Sequence, residues 1–574
     1  MNQQFTATKI KPIVLKVLRI LLYILIAFIA WVIVSMHTLV RFFPHTFQLS
    51  GFPFSKTYLV LLQNNAELRP GGGFVAAYGE LHIQNGLFPS FFIKDVFTLK
   101  GYNDDKIQEP PYPMGDLLQN KYYKGYSFHD SNWIPDLKTS AKTTLEFYKE
   151  EFPNKNIDGI IAVNFSVVED LLGIIGPINV NGKSISKDNL FHTIQYEQNN
   201  IDLHDIAQLQ NRKSILSIIA PAFTKKLITS LPKYPQIFTL LGNDLDSKDI
   251  SLYFTDENLE KSFQKYKWTA DFPVSENKRD IFGVVEANLG GMKSDRYISR
   301  SFEYFVNLKK STDITSKLQP EAKVRLVFRH SGDYNPPLSH VYKGYVRIYA
   351  PKGSTLLPGY SSDIEPYQEL GYTVFGKKLE IEPKTTSVIE FAYSLPQDVI
   401  SDNTYNLHIF KQSGVENTTY TASVSTPVDH IITSQDFRTA ENSAYFTGSL
   451  KTDQDLHLKF TNDSTPPRIT NQEFIDVNRI ILQFNEPILE SDCLNIENYT
   501  VLDTDSVVVE ASSRPKVRFI KCENRQLTIY TQNITKQPNE KFTVELTNIR
   551  DLSNNILTPN PMKITVIQRL GEDK

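Results

Sequence analysis

The sequence YLVLLQNNAELRPGGGFVAAY at Tyr58–Tyr78 decides the fold of the first folded domain of the chain. Two apolar runs flank a polar segment that ends in three glycines, and this pattern predicts a strand, a loop and a second strand. Gly71, Gly72 and Gly73 have no Cβ, so their N–H groups can form a concave array that suits an anion. Arg69 beside them is a permanently charged, forked donor. The alternative is a plain glycine-rich hairpin loop with a solvated arginine.

The length and composition predict several domains and no nucleic-acid partner. A chain of 574 residues is too long for one core, so we expect three or four domains. The net charge of −3 gives no electrostatic reason to bind nucleic acid. Cys493 and Cys522 are the two cysteines. They form a disulfide if this region lies outside the cytoplasm, or else they are two buried apolar residues.

The N-terminus carries an apolar run that is typical of a membrane-spanning helix. Residues 20–36 are uncharged and strongly apolar, and the run extends to residue 40. As a helix it would rise about 26–32 Å, close to the thickness of the hydrocarbon core. Cations are concentrated before the run, so the positive-inside rule places residues 1–19 in the cytoplasm and the rest of the chain outside. A cleaved signal peptide is the alternative, although the run is longer than usual. We expect a single-pass protein of the plasma membrane whose residues 20–40 contact the lipid bilayer.

Three further units follow this segment. Strand and helix patterns alternate over residues 50–295, which predicts a layered α/β domain. Residues 296–461 are mainly strand-like segments separated by Pro and Gly turns, which predicts a β-sandwich. After a linker, NDSTPP at Asn462–Pro467, residues 466–570 form a second all-β unit of immunoglobulin-like size.

Three motifs together resemble a bacterial family known only as a domain of unknown function (number four-zero-one-two). They are QNNAELRPGGGF, HDSNWIPD and NLGGMKSDRYI, and the resemblance covers roughly residues 57–460. The resemblance implies a single-pass membrane protein with an extracytoplasmic α/β domain followed by β-domains. The PPRIT, LQFNEPI and RDLSNN segments of the last unit are similar to immunoglobulin-like modules of bacterial surface proteins.

A more distant resemblance is to the LytR-CpsA-Psr family, which transfers a glycopolymer from a polyprenyl-pyrophosphate carrier to peptidoglycan. It rests on IDGIIAVNFSVVEDLLGIIGPINV and on Asn211-Arg212-Lys213. The resemblance implies a phosphotransferase that uses Mg²⁺, with Lys94, Asp95 and Arg212 as catalytic residues. The carboxylates of that family's first loop are missing here, because Asn64 and Asn65 occupy one such place. A divalent cation prefers anionic oxygen ligands, so this departure disfavours a metal site.

The candidate ligand-binding residues are the polar, charged and glycine residues of these motifs. They are Asn64, Asn65, Arg69, Gly71, Gly72, Gly73, Asp130, Lys213, Lys293 and Arg296. Our leading hypothesis is a membrane-anchored, extracytoplasmic cell-envelope protein that binds a phosphorylated lipid-linked glycan or a cell-wall polymer. One alternative is an active glycopolymer phosphotransferase, and a second is a non-catalytic surface scaffold or adhesion protein.

Overall fold

The computed structural model describes residues 41–99, 109–117, 125–199, 214–274, 278–290, 292–310, 318–336, 338–360, 363–440, 442–476, 478–503, 515–532, 534 and 541–567. The predicted membrane segment, residues 20–40, lies outside these ranges and stays a prediction. Within them, no helix is both long enough and apolar enough to cross a membrane.

The first unit is a mixed sheet with helices on both faces. Its strands are β1 (Lys56–Arg69), β2 (Gly72–Gln84), β3 (Leu87–Asp95), β4 (Gly159–Asn164), β5 (Ile178–Val180), β6 (Lys183–Ile185) and β7 (Ile250–Phe254). The helices are α1 (Thr46–Leu49), α2 (Met114–Leu117), α3 (Leu137–Glu151), α4 (Phe165–Ile175), α5 (Lys187–Asn199), α6 (Ser214–Thr229), α7 (Tyr234–Asp246) and α8 (Glu257–Gln264). Among the described strands, the main sheet has the order β3-β2-β1-β4-β7, and β1 and β4 are its parallel pair.

The alternation of side chains along β1 creates a core on each face of this sheet. Leu59 and Leu61 pack in one core with helix α3, whereas Tyr58 packs in the other with helices α4 and α7. The predicted α/β layering is therefore present. Helix α6 continues through Pro221, although proline often kinks or breaks a helix interior.

The polar segment after Leu62 differs from the prediction, because it is strand and not loop. Strand β1 continues to Arg69, with register shifts after Leu62 and Asn64 that absorb its extra residues. Arg69 pairs with Gly72, so the turn is only two residues long. The bulges bend the strand and turn Asn65 toward the neighbouring unit, where its amide nitrogen lies 3.5 Å from the carbonyl oxygen of Gly414.

The second unit is a large β-sandwich. Its strands are β8 (Asp280–Asn288), β9 (Ile298–Lys310), β10 (Leu318–His330), β11 (Tyr342–Ala350), β12 (Thr355–Leu356), β13 (Glu365–Glu369), β14 (Tyr372–Ile381), β15 (Thr386–Ser394), β16 (Ile400–Ser401), β17 (Thr404–Phe410), β18 (Thr418–Ser425), β19 (His430–Thr433), β20 (Arg438–Ala440), β21 (Ser443–Leu450) and β22 (Gln454–Asn462). One sheet has the order β12-β15-β10-β9-β18-β21-β20, and the other runs β13-β14-β11-β8-β17-β22-β19 with β16 beside β17. A single apolar core fills the space between them.

Strand β8 corrects the predicted domain boundary. It falls inside the range 50–295 assigned to the α/β domain, yet it pairs with β11 and β17 inside the sandwich. Its pairing partners lie far along the chain, so local sequence alone could not show which sheet it joins.

The last unit has two small sheets around their own core. Its elements are β23 (Ile469–Asp476), β24 (Arg479–Phe484), α9 (Glu490–Cys493), β25 (Tyr499–Asp503), β26 (Lys516–Glu523), β27 (Gln526–Gln532), β28 (Lys541–Leu546) and β29 (Met562–Ile567). The described strands form the sheets β23-β24-β27-β26 and β25-β28-β29. Cys493 and Cys522 are joined in a disulfide that links α9 to β26. The likeness to immunoglobulin-like modules stays a prediction.

Buried polar contacts join the α/β unit to the sandwich. Lys248 donates to Asp453 Oδ1 at 2.6 Å and lies over the ring of Phe410. Gln412 donates through Nε2 to the carbonyl oxygen of Arg69 at 3.1 Å. Such groups are costly to bury unless every partner is in place, so these contacts fix the relative position of the two units.

Candidate functional site

The three sequence motifs meet around one buried side chain, Arg69. Its Nε donates to Asp130 Oδ1 at 2.7 Å, and Asp130 belongs to the HDSNWIPD segment. Its Nη1 donates to the carbonyl oxygen of Asn288 at 2.7 Å, at the start of NLGGMKSDRYI. Its Nη2 lies 3.4 Å from Glu67 Oε1, and the guanidinium lies over the ring of Phe74. The Arg69 side chain is 5% exposed, so its donors serve the protein itself.

Asp130 is the counter-ion of Arg69. Burial alone would raise the pKa of the Asp130 carboxyl, but the charge of Arg69 and the hydrogen bonds from Arg69 and His129 outweigh burial and hold that pKa below its usual range. His129 Nε2 lies 3.1 Å from Asp130 Oδ2, on the side away from Arg69. Asp130 is therefore held as a carboxylate between two partners.

The three glycines allow close packing of the chain on itself. Gly71 N–H donates to the carbonyl oxygen of Asn132 at 2.9 Å, and Asn132 Nδ2 donates back to Gly73 O at 2.7 Å. Gly72 has a φ of +127°, and a Cβ there would lie 2.2 Å from Gln63 Oε1. A Cβ at Gly73 would lie 2.1 Å from the backbone of Asn64. The glycine turn thus faces protein atoms, in contrast to the anion-binding array that the sequence predicts.

Asp295 completes this buried junction. Its Oδ2 accepts the N–H of Leu68 at 2.9 Å and the side-chain amide of Asn288 at 2.7 Å. Arg300 pairs with Asp295 and with Glu286, and it is 8% exposed. Lys293 is a weaker neighbour, with its Nζ 3.8 Å from Glu67 Oε2.

A cleft opens beside this junction, between the α/β unit and the sandwich. We call it the interdomain cleft, and its volume is about 470 Å³. The α/β unit contributes the β1 bulge at Asn65 together with Ser166, Glu169, Asp170 and Lys187. The sandwich side contributes a second group of residues, which are Asp295, Arg296, Ile298, Ser299, Arg300, Gly414, Glu416 and Asn417. Two of the predicted ligand-binding residues, Asn65 and Arg296, therefore line one concave surface.

The charges that line the cleft pair with one another. Arg296 makes a two-pronged contact with Glu169, at 3.1 and 2.9 Å, and lies over the ring of Phe191. Lys187 pairs with Asp170. Asn65 Nδ2 bridges the two units, because it lies 3.3 Å from Ser166 Oγ and 3.4 Å from Glu416 Oε1. The lining is thus polar, with its positive charges already matched by carboxylates.

A group of buried acids lies behind the cleft. Burial raises the pKa of Asp244 to about 7, and the nearby Asp249, Asp170 and Glu416 add to the shift while Lys411 opposes it. Asp244 Oδ2 receives no hydrogen bond from any described residue. The pKa of Glu416 is raised for the same reasons, with burial as the largest cause. The wall of the cleft therefore gains negative charge as the pH rises.

The remaining predicted residues lie elsewhere. Lys94 pairs in register with Tyr78, and Tyr78 pairs with Leu61, whereas Arg69 lies roughly 20–25 Å further along β1. Lys94 is exposed over the ring of Phe92, and Asp95 is buried at the end of β3. The two do not meet Arg69. Arg212 and Lys213 lie outside the described residues.

Sequence reasoning missed most of the cleft. Glu169 and Asp170 were a usable signal, since two adjacent acids interrupt an otherwise apolar helix, FSVVEDLLGII. Ser166 and Lys187 begin helices and carried no such signal. Glu416 comes from a loop of the sandwich and reaches the cleft only through the tertiary fold.

The cleft does not fit the Mg²⁺ that the LytR-CpsA-Psr resemblance implies. Its carboxylates Glu169 and Asp170 are engaged by Arg296 and Lys187, and an amide, Asn65, stands where that family has an acid. In the described part of the chain, one group of acids could share a cation, and it lies where the linker meets the last unit. Oxygens of Asp463, Glu486 and Asp551 lie within 4.8 Å of one another there, a donor set that suits a hard cation such as Ca²⁺.

Residues 55–198 match a family model described as "Protein of unknown function (DUF4012)". This match confirms the predicted domain of unknown function. It includes two of the three motifs, whereas NLGGMKSDRYI lies beyond it. No curated protein matches the chain.

Several solved structures show weak likeness to the chain. The N-terminal part of the bacterial S-layer protein SbsC is 10% identical over 18% of this chain and 24% of its own length, with a TM-score of 0.16. The Lin1025 protein from Listeria innocua is 12% identical over 38% of this chain and 79% of its own length, with a TM-score of 0.21. The transcriptional regulator yvhJ from Bacillus subtilis is 14% identical over 38% of this chain and 98% of its own length, with a TM-score of 0.17. The chain thus spans about a quarter of the SbsC fragment, and at these TM-scores the likenesses carry no argument about fold or function.

Replacement of Asp130 tests the structural role of its ion pair. We expect Asp130→Asn to lower the free energy of unfolding by about 3–5 kcal/mol, because it leaves the buried Arg69 charge unmatched. Urea denaturation followed by tryptophan fluorescence measures this, since Trp133 and Trp268 are buried in the same unit. As a control, Glu380→Gln removes an exposed partner of Lys343 and should cost less than about 1 kcal/mol. Equal effects of the two substitutions would contradict the assignment.

The raised pKa of Asp244 predicts that the stability of the fold depends on pH. The unfolded chain loses this proton near pH 4 and the folded chain near pH 7, so the group destabilises the fold increasingly as pH rises between these values. Asp244→Asn should therefore be more stable than wild type at pH 8, by up to about 4 kcal/mol, and similar to it at pH 4. Urea denaturation at both pH values measures the difference, with the exposed Asp398→Asn as a control. A gain of the same size at both pH values would rule out this titration.

Proposed function

We propose that this protein is a membrane-anchored, extracytoplasmic cell-envelope protein that binds an envelope glycan in the interdomain cleft. The observation that carries the proposal is the matched charge of the cleft lining. Pairing of Arg296 with Glu169 and of Lys187 with Asp170 leaves a surface without free cations among the described residues, rich in hydrogen-bond donors and acceptors.

Such a lining suits hydroxyl groups. A sugar hydroxyl both donates and accepts, so it can bind a carboxylate oxygen and a guanidinium nitrogen of the same ion pair. Asn65, Ser166 and Asn417 add further neutral donors and acceptors around the rim. The volume falls within the range of small-ligand sites, and the planar Arg296 group is held in place by the Phe191 ring.

The charge balance favours the sugar part of an envelope polymer over its phosphates. The charged lining residues are the acids Glu169, Asp170, Asp295 and Glu416 and the cations Lys187, Arg296 and Arg300. A phosphate entering this lining would meet more carboxylates than cations unless Glu416 is protonated. We therefore assign recognition to sugars, and a phosphorylated glycan would present its sugar ring to the cleft.

The phosphotransferase alternative stays a prediction. A pyrophosphate needs converging cations that are available for its oxygens. In the described part of the chain, Arg69 is committed to Asp130 and Arg296 to Glu169. Binding a pyrophosphate there would require these pairs to break. The scaffold alternative differs from both, because it requires no ligand in the cleft.

Substitutions in the Arg296–Glu169 pair test the proposal. We expect Arg296→Gln and Glu169→Gln each to weaken binding of soluble disaccharide-peptide fragments of peptidoglycan by about tenfold, because each removes a charged hydrogen-bonding group. Isothermal titration calorimetry on the full chain in detergent measures the affinity. Arg325→Gln is the matched control, since Arg325 lies on β10 outside the cleft and its side chain is exposed.

Two results would contradict the proposal. Wild-type protein that does not bind the fragments would favour the scaffold alternative. Binding of polyprenyl pyrophosphate that is lost in Arg296→Gln, without binding of the sugar fragments, would favour the phosphotransferase alternative.

A further inference from the structure

A group of large apolar side chains is exposed where the described chain begins. Its members, which we call the aromatic collar, are Phe43, Phe47, Phe52, Phe54, Leu87 and Phe88. Each is more than half exposed, from 54% for Phe52 to 79% for Phe54. Single exposed apolar residues are common on proteins, but a concentration of this kind marks an interaction surface.

The collar is one continuous region, because its two segments are hydrogen-bonded to each other. Asn85 N–H donates to Gly51 O at 3.2 Å, and Gly86 N–H donates to Ser50 O at 2.7 Å. The turn that carries Leu87 and Phe88 therefore lies against the segment that carries the four phenylalanines. Gly51 permits this approach, because it has a φ of +67° and a Cβ there would lie 2.2 Å from Ile83 O.

The collar is attached firmly to the α/β unit. The ring of Phe42 packs 5.2 Å from that of Phe263 and 5.1 Å from that of Trp268. Arg41 pairs with Asp246 at 3.2 Å and lies over the Trp268 ring. Phe43 and Phe47 follow this attachment in the chain, and their side chains are exposed.

The position of the collar in the chain indicates what covers it. The apolar run at residues 20–40, which the sequence predicts to cross the membrane, ends directly before Arg41. A chain leaving a bilayer at this point would bring the collar to the headgroup region within a few residues. Helix α6, which contains Lys225 and Lys226, packs beside β3, and such cations would complement anionic lipids.

We propose that the aromatic collar inserts into the outer surface of the bilayer and seats the α/β unit on the membrane. Phenylalanine and leucine side chains are well suited to the boundary between headgroups and acyl chains. Seating would restrict the tilt of the ectodomain on its single anchor and hold the interdomain cleft in a fixed orientation to the membrane. The inference rests on the membrane anchor of the proposed function.

Depth-dependent fluorescence quenching tests this proposal on the full chain. Phe88→Cys and Phe47→Cys are each labelled with an environment-sensitive fluorophore and placed in nanodiscs that contain phosphatidylglycerol and doxyl-labelled lipid. The native cysteines are joined in a disulfide and do not react. Val388→Cys is the matched control, because Val388 is a 46% exposed apolar residue of the sandwich. We expect the doxyl lipid to lower the signal at positions 47 and 88 at least about twofold more than at 388.

Each other outcome overturns the proposal in a distinguishable way. If the chain enters nanodiscs but quenching is equal at all three positions, the membrane anchor would stand, and insertion of the collar into the bilayer would be ruled out. A blue-shifted fluorophore at 47 and 88 that lipid does not quench would show that protein, such as a second copy of the chain, covers the collar. A chain that does not enter nanodiscs would overturn the anchor together with the collar.

Discussion

The buried guanidinium of Arg69 is the constraint on which the arrangement of the units depends. A charge removed from water must be matched by partners at fixed positions, and Arg69 takes them from Glu67 on its own strand and from two distant parts of the chain. Asp130 supplies the opposite charge, and the carbonyl oxygen of Asn288 supplies the link to the first strand of the sandwich. The glycine turn beside Arg69 is needed because the Asn132 segment packs directly on its backbone.

The interdomain cleft follows from this junction. The bulged end of β1 carries Arg69 inward and Asn65 outward, so one strand serves both the buried ion pair and the rim of the cleft. Polar contacts such as Lys248 with Asp453 fix the sandwich against the α/β unit on the same side. The two walls of the cleft therefore keep their spacing, which is the pre-organisation that a binding site requires.

Local sequence predicted the elements well and their partners poorly. The helix at Phe165–Ile175 and the strand at Ile178–Val180 follow from local signals, because apolar periodicity sets the helix and a Gly-Pro pair ends it. The assignment of β8 to the α/β domain failed, because its sheet is set by strands that lie far away in sequence. An arginine followed by glycines can bind a phosphate or pair with a buried aspartate, and the local sequence is the same in both cases. The predicted site therefore included Asn65 and Arg296 but missed Glu169, Asp170 and Glu416.

Hydrogen exchange of the full chain with and without peptidoglycan disaccharide-peptide fragments tests the central claim most directly, because it locates the ligand without any substitution. If the interdomain cleft binds the glycan, amides at residues 165–172 and 412–418 become protected together, while those at residues 71–74 are unchanged. Protection confined to residues 71–74 would place the ligand at the glycine turn and contradict the assignment of glycan binding to the interdomain cleft.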